Sequence, residues 1–122
     1  MKDSELYEIA NNKAKSYRTN NKTRIGHVAV ALIASNQKIY TGISVETGCS
    51  LGVCAEYNAI ASMVQDGETR IIKLIAVNEE GKIYSPCGRC REYIYQINND
   101  NIYTEIILED KTLKIRDLLP EL

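Results

Sequence analysis

Cys54-Ala55-Glu56 and, further along, Pro86-Cys87-Gly88-Arg89-Cys90 constrain this chain more than anything else in it. Cys87 and Cys90 stand three apart at the start of a helix-like stretch, Cys90 to Asn98, so one helical turn points both sulfurs the same way. Cys54 opens a second helical stretch, Ala55 to Gln65. Ala59, Ile60 and Met63 recur there at helical spacing, and Gly67 supplies a stop. Thiolates that share one metal ion require both helices to begin at the same point in space. The positive ends of the two helix dipoles favour thiolate over thiol, so such ligands ionise more readily. Three protein ligands leave a fourth zinc position for water, which marks catalytic rather than closed structural sites. Glu56 projects from the same turn as Cys54, near the metal without being a required ligand, where a proton shuttle belongs.

A ligand, one residue, a Glu that does not bind the metal, and then P-C-x-x-C is the pattern of zinc-dependent base deaminases. Two plainer readings compete with it. A thioredoxin-like redox pair needs only C-x-x-C and gives no reason for a Cys-Ala-Glu upstream. A purely structural zinc would call on Cys49, the remaining cysteine, as a fourth ligand. Free cysteine ordinarily behaves as a small hydrophobe, so Cys49 is expected as a small buried thiol instead.

Composition agrees with a compact intracellular enzyme. A chain of 122 residues is expected to form one domain over 1–122. It has no apolar run long enough to span a membrane and no charged-then-apolar leader pattern at its N-terminus. Four cysteines in a metal-ligand pattern argue for metal use in a reducing compartment, with the cytoplasm as the default, rather than for a disulfide frame. The net charge is −1 with no basic block, which leaves no electrostatic footprint for nucleic acid and favours a small-molecule substrate.

The periodicity predicts a helix from Ser4 to Tyr17, with Leu6, Ile9, Ala10 and Ala14 on one side. Val28 to Ala34, a turn at Ser35-Asn36-Gln37, and Lys38 to Ile43 read as a β-hairpin. Gly42 to Gly52 reads as a loop of small residues leading into the Cys54 helix. Ile71 to Val77 is a nearly continuous apolar run, the mark of a strand buried on both faces. Beyond a Glu79-Glu80-Gly81 turn and the Cys87 helix, Tyr103 to Leu108 reads as a strand, and Ile115 to Leu119 as a short helix. This order predicts an α/β sandwich around a mixed sheet, with ligands taken at strand carboxyl ends.

Cys-Ala-Glu with Ser85-Pro86-Cys87-Gly88-Arg89-Cys90-Arg91, preceded by Val28 to Leu32 and Ile39 to Glu46 and closed by Leu118-Leu119-Pro120, resembles the small cytidine deaminase family. Within that family the likeness is to the blasticidin S deaminases, and it runs from about Ile25 to Pro120. The resemblance implies a three-layer α/β/α sandwich with a mixed five-stranded sheet. It implies one Zn2+ per subunit on Cys54, Cys87 and Cys90, with Glu56 as general acid/base and the Ala55 backbone against a cytosine ring. It also implies a homotetramer with its sites near subunit interfaces, acting on a cytosine nucleoside or a related antibiotic.

The departures from that pattern are informative. Such deaminases typically continue Cys-Ala-Glu with Arg, and this chain has Tyr57. Zinc with three thiolates carries a formal negative charge, so a cation is expected nearby, and Arg89 and Arg91 are the candidates, Arg89 foremost. The family's G-x-N-x-E, whose Asn and Glu hold the ribose hydroxyls, is here Gly42 to Glu46, with Ser44 in place of Asn and Glu46 retained. An aromatic residue expected near the first long strand is replaced by Gly26, beside the single histidine, His27. With no Phe or Trp in the chain, ring stacking falls to Tyr or His. Two further readings stand beside the nucleoside deaminase. One is a polynucleotide deaminase of the same superfamily, which usually carries His where Cys54 stands. The other is a zinc-stabilised binding protein without catalysis, for which Glu56 would have no purpose.

Overall fold

The structure, a computed structural model, describes residues 1–121; Leu122, the end of the expected 1–122 span, lies outside the described residues. In chain order the elements are α1 (Asp3–Lys13), β1 (Tyr17–Asn20), β2 (Thr23–Ala34), β3 (Ile39–Glu46), α2 (Ala55–Gln65) and β4 (Ile71–Asn78). There follow β5 (Ile83–Tyr84), α3 (Gly88–Ile97), β6 (Glu105–Ile107), β7 (Thr112–Lys114) and α4 (Ile115–Leu118). Short 3₁₀ turns occupy Gly48–Ser50 and Asn99–Tyr103.

All seven strands join one mixed sheet. β3 pairs along one edge of β2 and β4 along the other, both antiparallel, and β6 runs parallel to β4 with β7 outside it. β1 continues along β4's edge of β2, at Thr23–Ile25 before β4 begins, and β5 continues along β6's edge of β4. The sheet is therefore five ribbons wide, two of them built from two strands end to end. This matches the expected mixed sheet with helices on both sides.

The two faces follow from strand periodicity. Ala31, Ile75, Val77 and Ile107 point to one face and pack against Leu6 and Ala10 of α1. Val30, Leu32, Leu74, Ala76 and Ile106 point to the other and meet Ala55, Ala59, Ile60 and Met63 of α2 together with Ile94 of α3. Asn101, fully buried, ties the second layer to the sheet. Its Oδ1 accepts from Ile71 N–H at 2.9 Å, and its Nδ2 donates to the carbonyls of Thr69 and Ile94 at 3.0 Å each. All the polar atoms of this buried amide are thereby engaged, as burial requires.

Three expected elements are corrected. The first helix stops at Lys13 rather than Tyr17, because Tyr17–Asn20 is drawn into antiparallel pairing with β2, Tyr17 opposite Ile25. The Gly42 to Gly52 stretch is not all loop, since β3 continues to Glu46 in register with Arg24 of β2. Tyr103 belongs to a 3₁₀ turn, and the strand there is only Glu105–Ile107. The α2 boundaries, by contrast, are those the sequence predicts. Among the described residues no helix is long and apolar enough to cross a membrane.

The contact that places α2 is at Gly42 of β3. A Cβ there would lie 2.2 Å from Ala59 N and 2.5 Å from Ala55 O, so the helix backbone rests directly on the strand. Neither neighbour is a side chain that could swing away. Gly42→Ala is expected to lower unfolding free energy by about 2 kcal/mol through overpacking. Gly88→Ala, where a Cβ meets nothing within 4 Å, is expected to stay within about 0.5 kcal/mol. Urea unfolding of the two variants beside the parent checks the contrast.

Candidate active site

Cys54 is the N-cap residue of α2 and Cys87 the N-cap of α3, both with extended backbone. Cys90 sits in the first turn of α3, where Arg91 N–H already bonds the Cys87 carbonyl at 3.0 Å. The two helices therefore start at one place, and the three sulfurs lie within 4.8 Å of one another. Cys90 is buried, Cys54 half-buried and Cys87 exposed, so the cluster has a closed back and an open front. Convergent soft donors with one open side fit a zinc ion with a free coordination position. Cys49 is not among them. It stands exposed in the 3₁₀ turn at φ 59°, which corrects the expectation of a buried thiol. The reason is local: Cys49 sits with left-handed backbone in a surface 3₁₀ turn rather than in a packed element.

In front of the sulfurs lies a cavity of about 490 Å³, lined by Ser44, Glu46, Cys54, Ala55, Glu56, Cys87 and Arg89 among others. Glu56 is only 6 % exposed, and burial raises its carboxyl above the usual range, towards the pH at which a proton shuttle is useful. Burial likewise pushes the Cys54 and Cys90 thiols up. At Cys87 burial pulls the same way, but hydrogen bonds from the Cys90 backbone and from the Cys90 and Cys54 thiols outweigh it and leave that thiol lowered. A divalent cation among these groups would supply the positive charge that the polypeptide interior lacks.

The two arginines have different environments. Arg91 Nε donates to the Pro86 carbonyl at 2.8 Å, Nη1 to the Leu118 carbonyl at 3.3 Å and Nη2 to Ser85 Oγ at 3.0 Å. It clamps the corner that presents Cys87 to the C-terminal helix. Arg89 lines the cavity, donates Nε to Tyr57 Oη at 3.0 Å, and holds its guanidinium 4.6 Å from the Tyr57 ring centre. Its pKa is raised by the Tyr57 hydroxyl first and also by Cys54 and Cys90. Tyr57 in turn stacks on Tyr93, with ring centres 4.1 Å apart and planes at 12°. The sequence holds the signal for this pair, since each tyrosine stands three residues after a cysteine, Cys54 or Cys90, and so sits one turn along the same helix face.

At the other end of the cavity, Ser44 is buried and its Oγ accepts from Val28 N–H at 3.0 Å. Glu46 is held from outside by Arg24, whose Nε and Nη2 reach its two oxygens at 2.9 and 3.1 Å. The sequence reading did not anticipate Arg24. His27 lies away from the cavity, its Nδ1 3.7 Å from Glu79 Oε2, so it neither joins the sulfurs nor replaces a stacking ring.

A buried carboxylate beside three thiols at paired helix starts defines a hydrolase that works on water held at a metal. The family model for the cytidine and deoxycytidylate deaminase zinc-binding region matches residues 1–106, and the chain belongs to that family of zinc hydrolases. A cytidine deaminase of Mycoplasma genitalium is 33% identical over 95 residues, covering 68% of this chain and 72% of its own. A blasticidin-S deaminase of Bacillus cereus is 30% identical over 131 aligned positions, covering 98% and 91%. The crystal structure of cytidine deaminase from Mycobacterium leprae superposes with a TM-score of 0.83 at 26% identity, covering 99% of each chain.

Because Arg91 fixes the Cys87 corner, Arg91→Ala is expected to cost about 2 kcal/mol of stability. Its zinc affinity should fall roughly tenfold or more, as happens when groups behind metal ligands are removed. Competition with a chromophoric chelator reads the affinity, and thermal unfolding reads the stability.

Proposed function

We propose that this protein hydrolyses the 4-amino group of a cytosine nucleoside, or of a cytosine-bearing nucleoside antibiotic such as blasticidin S, and releases ammonia. The observation that carries this reading is Glu56, buried in the cavity wall beside three convergent sulfurs. Cys54, Cys87 and Cys90 would hold the zinc, one ion per chain. Bound zinc supplies Lewis acidity and lowers the pKa of water towards neutrality.

The remaining steps fall to the polypeptide. Glu56 accepts a proton from the attacking water and passes it to the ring nitrogen beside C4, so that C4 becomes tetrahedral as the oxygen bonds to it. Glu56 then moves the second proton to the amine. The C4–N bond breaks, ammonia departs and a carbonyl remains. The Ala55 backbone, first in α2 and 1% exposed, would border the ring. Ser44 and Glu46 would face the sugar. Arg89, set by Tyr57, would offset the charge of the thiolates, while Arg91 supports the corner.

The same reading takes residues 1–122 as one domain working in the reducing cytoplasm, where three free thiols stay available for metal. Cytosine nucleosides point to a place in pyrimidine salvage. The family resemblance implies assembly as a homotetramer with the sites near subunit interfaces.

Ammonia release from cytidine, deoxycytidine and blasticidin S by the zinc-loaded protein tests the proposal. Glu56→Gln is expected to keep its zinc and lose at least about a hundredfold in kcat, the scale of a removed general acid/base. Wild-type rates in that variant would remove Glu56 from the mechanism. Metal analysis separates the cysteines: Cys54→Ser, Cys87→Ser and Cys90→Ser should each lose zinc, while Cys49→Ser should retain one ion per chain.

A further inference from the structure

We propose that Tyr84 is the ring wall of the substrate cavity and fixes its affinity for the pyrimidine, an inference that rests on the function proposed above. A pyrimidine held in a cavity needs a flat, polarisable surface, and an aromatic side chain is the usual provider. The chain has eight tyrosines and neither Phe nor Trp. Among the described residues lining the cavity, Tyr84 is the one aromatic.

The other positions that could bear a ring are closed to this task. Gly26 of β2 has φ +83°, and a Cβ there would lie 2.5 Å from the Lys15 carbonyl oxygen, so no side chain fits without moving backbone. Tyr57 and Tyr93 are spent on each other and on Arg89. His27 faces Glu79.

Tyr84, by contrast, is held as a binding surface should be. Its backbone is paired in β5 opposite Ala76, a small residue that also borders the cavity. Its neighbour Ile83 packs on the α1 face, so alternation turns Tyr84 to the face that carries the site. The far end of the side chain is pinned, because Asn78 Nδ2 donates to Tyr84 Oη at 3.2 Å. Asn78 is itself 3% exposed, and its Oδ1 accepts from Glu80 and Lys82 N–H at 2.9 Å each, which settles the direction of the amide. A large ring anchored at both ends remains 43% exposed. Fixed aromatic area facing an open cavity costs no ordering when a ligand arrives. Only Ser85 and Pro86 separate Tyr84 from Cys87, so this wall is registered to the sulfur cluster.

The test combines turnover with binding. For Tyr84→Ala, KM on the accepted substrate should rise about tenfold or more, the scale of a lost base–aromatic stack, while kcat and zinc content change little. Tyr84→Phe should restore KM to within about threefold, and Tyr84→Leu, which keeps bulk without a π face, should resemble Tyr84→Ala. Calorimetric titration of zinc-loaded Glu56→Gln protein with cytidine, deoxycytidine and blasticidin S, with and without Tyr84→Ala, should show the same loss of affinity without turnover. Unchanged KM and binding in a folded, zinc-loaded Tyr84→Ala would overturn the inference while leaving the deaminase reading intact. A Tyr84→Phe as weak as Tyr84→Ala would also overturn it, placing the contact at the hydroxyl. A wild type that neither binds nor turns over any of the three would overturn both readings together.

Discussion

Everything at the site depends on two helices beginning at the same point. A helix start presents unpaired N–H groups and a partial positive charge, and placing two such starts together is unfavourable unless something negative lies between them. Cys54 and Cys87 occupy the two caps, and Cys90 follows one turn behind. The sheet enforces the meeting. Gly42 lets α2 lie directly on β3, and Asn101 ties the end of α3 to the start of β4. Neither helix can slide along its axis without opening a gap in the layer formed by Ile60, Met63 and Ile94. Sulfur geometry is thus inherited from core packing, well away from the sulfurs themselves.

Charge is arranged with the same economy. Burial resists ionisation of Glu56, Cys54 and Cys90; Glu56's own backbone N–H eases the first and the Cys90 thiol eases Cys54, while at Cys90 the neighbouring Glu56 and Cys87 add to the effect of burial. Tyr57 sits immediately after Glu56 and brings a cation in from the other helix. Its hydroxyl accepts from Arg89, its ring lies against the guanidinium, and Tyr93 backs the ring. The positive charge therefore reaches the cavity edge from α3 rather than α2. Arg91, only two residues away, spends its donors on Pro86, Ser85 and Leu118 and serves geometry instead. The sequence puts Arg89 ahead of Arg91 for the compensating charge, but Arg91's clamp is invisible in it, because Pro86, Ser85 and Leu118 meet that guanidinium only in the fold.

That contrast describes what the chain made legible. The boundaries of α2 were readable because an N-cap, an apolar stripe and a glycine stop all agree there. The site was readable because Cys54, Glu56, Cys87 and Cys90 carry their geometry in their spacing. The β4 run from Ile71 was readable because burial on both faces needs continuous apolar residues. The strands β1, β5 and β7 were not, since two to four residues lack a period of their own and become strands only by finding a free edge. The end of the first helix is hidden for the same reason: nothing local forbids helix at Ser16 and Tyr17, but pairing opposite Ile25 and the bond from Ser16 N–H to Glu79 claim that segment. Cys49 was misplaced because a thiol's exposure is decided by the turn that carries it.

On the function proposed here, the division between helix starts and strands also separates chemistry from recognition. Metal ligands and Glu56 belong to α2 and α3, where a shift of an ångström would be felt by every donor at once. Ser44 and Glu46 sit on β3 and Tyr84 on β5, and each is steadied by a partner of its own: Val28 N–H, Arg24 and Asn78. Ser44 Oγ accepts one bond from the backbone and keeps its O–H proton to donate. Glu46 accepts one bond from Arg24 at each oxygen and still has lone pairs for a hydroxyl. These strand positions can change residue type without moving a sulfur. The sulfur cluster can therefore stay fixed on the helix starts while the strand residues Ser44, Glu46 and Tyr84 shape the rest of the cavity wall.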